Sequence, residues 1–268
     1  MRFVALLSAA AVAFPAAARA EDMAGRFSGF HVGANVGAAW GRSRFATDPG
    51  CPGVAVDAVF CNAPPADAFV NGTAVAGSGT GTLSGLGFAG GVQTGLNWQN
   101  GAFVFGAEAD FGVMSLHKSA SEIATFPFPF LGTQYALTQS VSTDWIATLR
   151  GRVGWVMTPQ LLVYVTGGAA FTTIKLSGSY ADNAIDATFP GGTGIGSDSQ
   201  FKVGWALGGG MQWALNRTWS VKAEYLYADF GTVSAPVPLT NTSAFAQTML
   251  LSNDLAVHLV RFGVDYRF

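Results

Sequence analysis

The chain has 268 residues, with 14 Lys and Arg against 16 Asp and Glu and a formal net charge of −2. That balance lacks the basic footprint of a nucleic-acid-binding protein. Charged residues make up only 11%, where an ordinary soluble protein carries about 25%, while Gly reaches 35 residues.

At the N-terminus, Arg2 precedes an apolar run over 3–14 broken only by Ser8, and Ala18-Arg19-Ala20 stands before the acidic Glu21-Asp22. A positive start, a short apolar core and an A-x-A site predict a secretory signal peptide over 1–20, too short to serve as a membrane helix. Beyond it no uncharged apolar run approaches the roughly 20 residues that a spanning helix needs. An exported, apolar, charge-poor chain without such helices points to a closed β-barrel in lipid, here assigned to 21–268.

Eight segments alternate in polarity, roughly 28–44, 85–98, 102–117, 141–157, 161–178, 201–215, 218–232 and 255–268. A period of two sends successive side chains to opposite faces of a strand. The connections alternate in length. Those at 99–101, 158–160 and 216–217 are short, and the first holds the Asn100-Gly101 hairpin pair. The other four, about 45–84, 118–140, 179–200 and 233–254, are long and rich in Gly, Ser, Thr and Pro. Outer-membrane barrels have short periplasmic turns and long extracellular loops. The pattern therefore predicts an all-β fold, a transmembrane eight-stranded antiparallel up-and-down barrel in the cell outer membrane, with both termini periplasmic. Cys51 and Cys61 are the two cysteines of the chain, and both fall in the first long loop. An even exported pair predicts one disulfide, and no His stands between them to complete a metal site.

The tryptophans sort by position. Trp98, Trp155, Trp213 and Trp219 sit beside the short turns, and Trp40, Trp145 and Trp205 lie toward the long loops, all seven on the more apolar face. Trp145 and Trp155 share one strand, and at about 3.4 Å per residue and a tilt near 45° they stand roughly 24 Å apart along the axis. Two aromatic girdles flanking an apolar band account for this. The opposite faces hold Glu108, Asp110, Asp144, Arg150, Arg152, Lys202, Lys222, Glu224, Arg261, Asp265 and Arg267, together with Gly33, Gly37, Gly91, Gly95, Gly204, Gly208 and Gly210. Side chains about fill an eight-stranded lumen, and desolvated charges there must pair. The expectation is a polar plug rather than a pore.

The motifs GFHVGANVGAAWG (29–41), GGVQTGLNWQNGAFVFGAEADF (90–111), TLRGRVGW (148–155) with LLVYVTGGAAF (161–171), VGWALGGGMQWALNRTWSVKAEYLYADFG (203–231) and the closing VRFGVDYRF (260–268) occur in order. Together they resemble the small outer-membrane immunogenic proteins of alphaproteobacteria, a porin family with an OmpA-like eight-stranded barrel. The likeness covers all eight segments and leaves the long loops unmatched. It implies an outer-membrane location, surface-exposed antigenic loops, and insertion by the barrel-assembly machinery through the last strand, with Phe268 as the assembly signal. The sequence departs at His31, where the family has Tyr, and at Gln212, where Glu is common.

Other features carry weaker chemistry. His258 has Ser252 and Asp254 close in sequence, but no lipid-modifying signature accompanies them. The remaining histidines, His31 and His117, lie on other segments. Glu108, Asp110, Glu224 and Asp265 have Arg and Lys at hand, which favours charge pairing over acid–base work. The Gly-rich stretch 77–81 lacks the Lys of a phosphate loop and reads as a flexible surface loop. The FPFPF stretch at 126–130 reads as Phe packed on neighbouring loops, with a surface contact as the alternative. No catalytic residue, metal or cofactor is expected. The function expected is structural: envelope integrity with presentation of antigenic loops. The alternatives are a narrow solute channel and a surface binding module for a host surface or haem. The expected partners are outer-membrane lipid and lipopolysaccharide, the barrel-assembly machinery, and a host or surface ligand through the loops.

Overall fold

A computed structural model describes residues 25–51, 70–127, 132–183, 191–241 and 246–268. The expected signal peptide and Cys61 lie outside the described residues; Cys51 is disulfide-bonded. Eight strands run in order: β1 (Gly29–Asp48), β2 (Gly81–Asn100), β3 (Phe103–Thr125), β4 (Gln134–Thr158), β5 (Leu161–Asp182), β6 (Gly192–Ala214), β7 (Trp219–Asn241) and β8 (Ala246–Arg267). A helix, α1 (Val70–Ser78), precedes β2. Each strand pairs antiparallel with the next, and β8 returns to β1 with Arg267 opposite His31 and Leu250 opposite Asp48. The sheet thus closes as an eight-stranded up-and-down barrel. Among the described residues no helix is long and apolar enough to cross a membrane.

The strands are longer than their membrane-like portions. β3 has 23 residues and β4 has 25. At about 3.3 Å per residue and a tilt near 45°, such strands rise roughly 55 Å, more than twice the height of an apolar band of about 25 Å. Of the long loops expected, those at 118–140, 179–200 and 233–254 are therefore mostly strand, whereas the one at 45–84 is strand only at its two ends, 45–48 and 81–84. The loop at 45–84 also contains α1. The Gly-rich stretch at 77–81 is likewise the end of α1, a turn and the start of β2. There the Gly79 carbonyl accepts hydrogen bonds from Thr47 and Gln139.

Alternation continues through these extensions, but its polarity inverts. On β8, Arg261 and Asp265 point inward below, while Leu259, Val257, Leu255, Leu251 and Met249 point inward above. On β7 the change accompanies a bulge between Asp229 and Thr232, where Gly231 takes φ +65°. One extra residue flips the phase of a strand. Val233, Ala235, Val237 and Leu239 consequently point into the barrel and are almost fully buried. Loop-like composition concealed these strands because Ser, Thr and Pro occupy their outer face, where water rather than lipid is the partner.

The ladder between β6 and β7 breaks between Gly194 and Trp205. The carbonyls of Pro236 and Pro238 face β6, close to Gly196 and Gly194. In an antiparallel ladder a residue's N and O point the same way, so the hydrogen-less proline nitrogens face β6 as well. Side chains bridge the interruption: Gln200 donates to the Ser234 carbonyl and Lys202 to that of Thr232.

Candidate functional site

Above the turn-end rim, the barrel interior is a charge cluster. Glu108 on β3 accepts from Lys222 Nζ with both oxygens at 2.9 Å and from Arg150 Nη2 at 2.8 Å, with Arg152 Nη1 at 3.5 Å. Asp110, two residues on and therefore on the same face, accepts from Arg150 Nη2 at 2.8 Å, Arg261 Nη1 at 3.0 Å and Thr148 Oγ1 at 2.5 Å. Glu224 on β7 meets Arg150 Nη1 at 3.1 Å, pairs with Arg261 and accepts from Tyr164 Oη at 3.0 Å. Arg150 thus touches three carboxylates, and it is 1% exposed. Arg152 lies 4.0 Å above the Tyr164 ring and donates to Gln212, combining a cation–π contact with a charge-assisted bond.

Asp265 is held differently. Its donors are the amides of Gln93 and Gln212, at 2.5 and 3.3 Å. Gln212, where the resembled family has Glu, bridges Arg152, Ser220 and Asp265. A carboxylate there would face Asp265 and could not donate to it. The buried set is balanced: Glu108, Asp110, Glu224 and Asp265 against Arg150, Arg152, Lys222 and Arg261. Uncompensated charge would be costly at this depth.

The glycines make room. Glu108 pairs with Gly95, Arg150 with Gly168, Arg152 with Gly106, Arg261 with Gly37, Asp265 with Gly33 and Glu224 with Gly210. A Cβ on Gly37 would stand 1.9 Å from the Val260 carbonyl oxygen, and one on Gly168 2.1 Å from that of Leu149. Each long charged side chain therefore lies across a residue that has none.

Three residues expected in this cluster are elsewhere. Asp144 points outward, because the phase of β4 shifts between Thr143 and Ile146, both buried, leaving Asp144 and Trp145 adjacent on the outer face. There Asp144 pairs with Lys175 at 2.8 Å and His117 at 3.4 Å. Lys202 is drawn to the interrupted β6–β7 seam by the free Thr232 carbonyl. Arg267 stands at the terminal rim and donates to the Arg217 carbonyl. His31 is the interior residue that charge patterning missed. It is buried, with Nε2 3.6 Å from Glu108 Oε2, and its place on the same face as Gly33 and Gly37 was the available signal. Beside it lies a cavity of about 10 Å³, the size of one water.

Toward the loop end the interior turns apolar. Met114, Leu137, Ile174, Leu176, Leu226, Leu239, Met249, Leu251 and Leu259 form one buried cluster, which Val75 of α1 joins. Phe126 of the FPFPF stretch is buried too, its ring 4.7 Å from that of Tyr135, while 128–130 lie outside the described residues. Tyr135 also shares a 2.6 Å hydrogen bond with Ser78 of α1. Nearby, burial and the Asp182 carboxylate push the Tyr180 hydroxyl well above the usual phenol range.

All seven tryptophans point outward. Trp98, Trp155, Trp213 and Trp219 ring the turn end, and Phe30, Tyr266 and Phe268 extend that row, with Phe268 N–H donating to the Phe30 carbonyl. Trp40, Trp145 and Trp205 stand in a second row beside His258, Phe201 and Tyr227. Between the rows Phe105, Phe111, Leu149, Val165, Leu207 and Phe262 are outward and exposed. His258 stacks on Trp40 at 5.6 Å and bonds Tyr225 Oη through Nδ1 at 2.7 Å. Ser252 donates to the Ala46 carbonyl, and Asp254 accepts from Thr232. The three residues do not form a relay. Among the described residues no group of three or more His, Cys, Asp or Glu is arranged to hold a metal ion.

Comparison with known proteins agrees with this architecture. The chain is 35% identical over 192 residues to the 31 kDa outer-membrane immunogenic protein of Brucella melitensis biotype 1, covering 71% of this chain and 70% of that one. It is 28% identical over 144 residues to the 22 kDa outer membrane protein of Rhizobium leguminosarum bv. viciae, covering 54% and 53%. Neisserial surface protein A, a solved structure, aligns over 90% of this chain and 98% of its own at 12% identity and a TM-score of 0.36. The family described as outer membrane protein beta-barrel domain matches residues 4–268, and the chain belongs to that family.

Proposed function

We propose that this protein is a structural outer-membrane barrel, closed to solutes, which contributes to envelope integrity and presents its loop end to the exterior. The observation that carries this reading is the filled interior. A balanced charge cluster occupies the turn-end half and an apolar core the loop-end half, and the cavity beside His31 is about 10 Å³. Water-filled porin channels belong to barrels of roughly 16–18 strands. In this orientation both termini are periplasmic, the apolar band between the tryptophan rows meets lipid, and the barrel-assembly machinery engages β8 with Phe268. Lipid and lipopolysaccharide surround the barrel, and any host or surface ligand meets the loop end.

Planar-bilayer recording of the purified, folded protein tests the reading. Silence at moderate voltage is the expected result, and stable unitary steps in most insertions would favour the solute channel instead. A haem-binding reading has little support in the histidines, whose partners are Glu108, Asp144 and Tyr225 on three different strands. Titration with hemin should leave the Soret band of free hemin unshifted.

A further inference from the structure

One outward hollow remains unexplained by a closed barrel in lipid. It lies just beyond Trp40 and has a volume of about 430 Å³. Its lining includes the small residues Gly231 and Ala256. Arg42, opposite Ala256 in the register, and Arg44, opposite Asp254, form one wall. Both arginines are exposed, and neither has a hydrogen-bond or ion-pair partner among the described residues. The lining also carries Asp229 and, beside Arg44, Asp254, whose carboxylates already accept hydrogen bonds from within the protein. Asp229 takes the Tyr227 hydroxyl and the Gly231 N–H, and Asp254 takes the Thr232 hydroxyl. On the band side the hollow is bounded by His258, stacked on Trp40.

A second polar cluster stands one step beyond a girdle tryptophan, Trp145, on the β3–β5 side of the wall. There Asp144 pairs with Lys175 at 2.8 Å and with His117 at 3.4 Å. The contrast is informative, since one cluster is satisfied internally and the other presents two unpaired guanidiniums at the level where lipid headgroups begin. Planar guanidiniums match phosphate oxygens in geometry and charge. Carboxylates can accept from sugar hydroxyls, and an aromatic border suits the junction of headgroup and acyl chain.

We propose that this hollow is a binding site for the phosphorylated sugar headgroup of an outer-leaflet glycolipid, lipopolysaccharide in a Gram-negative envelope, with Arg42 and Arg44 as the phosphate ligands. The proposal rests on the reading that the loop end faces outward. It goes beyond general lipid contact by naming the residues and the chemical group they hold.

The test is native mass spectrometry of the detergent-purified full chain with bisphosphorylated lipid A. Wild type should retain one lipid A, and the R42A/R44A variant should bind about tenfold more weakly or worse, as expected for lost charge-assisted bonds. K175A, altered in the satisfied cluster, should match wild type. Heat-modifiable mobility on gels verifies that each variant is folded. Equal lipid A retention by R42A/R44A would overturn the assignment, as would equal binding of dephosphorylated lipid A. Competition by millimolar inorganic phosphate would make this a free-anion site, and equal binding of phosphatidylglycerol would make it a generic anionic surface; either result rejects the glycolipid. Labelling of a T133C variant on intact cells with an impermeant thiol reagent tests orientation separately. Absence of label would overturn the outward loop end and hence the outer-leaflet partner, even with binding intact in detergent.

Discussion

Between the two tryptophan rows the barrel is apolar outside and charged inside, with Leu149, Leu207 and Phe262 facing outward and Arg150, Glu224 and Arg261 facing in. Beyond the second row the same strands carry Ser, Thr, Arg and Asp outside and a Leu, Val and Met core inside. One continuous sheet therefore joins two solvation regimes. In the first, lipid takes up the apolar surface, and the interior must neutralise its charges through pairing. In the second, water solvates the outer face and the interior is an ordinary hydrophobic core. The changeover is built from register as much as composition: the β4 shift at Thr143–Ile146 and the β7 bulge at Asp229–Thr232 rotate side chains to the opposite face.

Substitutions that treat the regions as alike should separate them. The largest effect is expected for Arg150→Met, which deprives Glu108, Asp110 and Glu224 of a shared cation. Loss of one partner from a buried charge set costs about 3–5 kcal/mol, readable as a lower urea midpoint for the barrel refolded in vesicles. A midpoint equal to wild type would mean that the cluster is not energetically coupled. Leu239→Ala, at a fully buried loop-end position, should cost about 2–5 kcal/mol through cavity formation. Its bilayer behaviour should stay silent, because the charge cluster still closes the lumen. Leu207→Arg, on the outer face of the band two residues inside the Trp205 row, should cost about 1–3 kcal/mol, between the midplane and interface values for a charge on the lipid face. The smallest effect is expected for Ser197→Arg, on the same strand and face but beyond the second tryptophan row, where surface changes remain within about 0.5 kcal/mol. If Leu207→Arg and Ser197→Arg cost the same in vesicles, the two-regime description fails.

The family-like motifs made the band legible. Trp98, Trp155, Trp213 and Trp219 at the turn end, inward Glu108 and Arg261, and the short connections all followed from alternation, because lipid imposes an apolar outer face that composition records. The loop-end strands were illegible for the converse reason. Thr232, Ser234, Pro236 and Pro238 read as a loop when they are the watered outer face of a strand. A fixed phase also carried Asp144 to the wrong side, since a one-residue shift leaves no mark in composition.

By itself, then, the sequence determined the class of fold, its eight strands, the aromatic rows and most of the charges that meet inside, since each is a local consequence of period-two patterning against lipid. Only the tertiary structure decided how far the strands continue, which charges actually touch, how Gln212 and His31 join them, and that Arg42 and Arg44 stand unpaired over an outward hollow. These depend on register around a closed ring, where residues more than a hundred positions apart, such as Asp110 and Arg261, become neighbours only when the last strand meets the first.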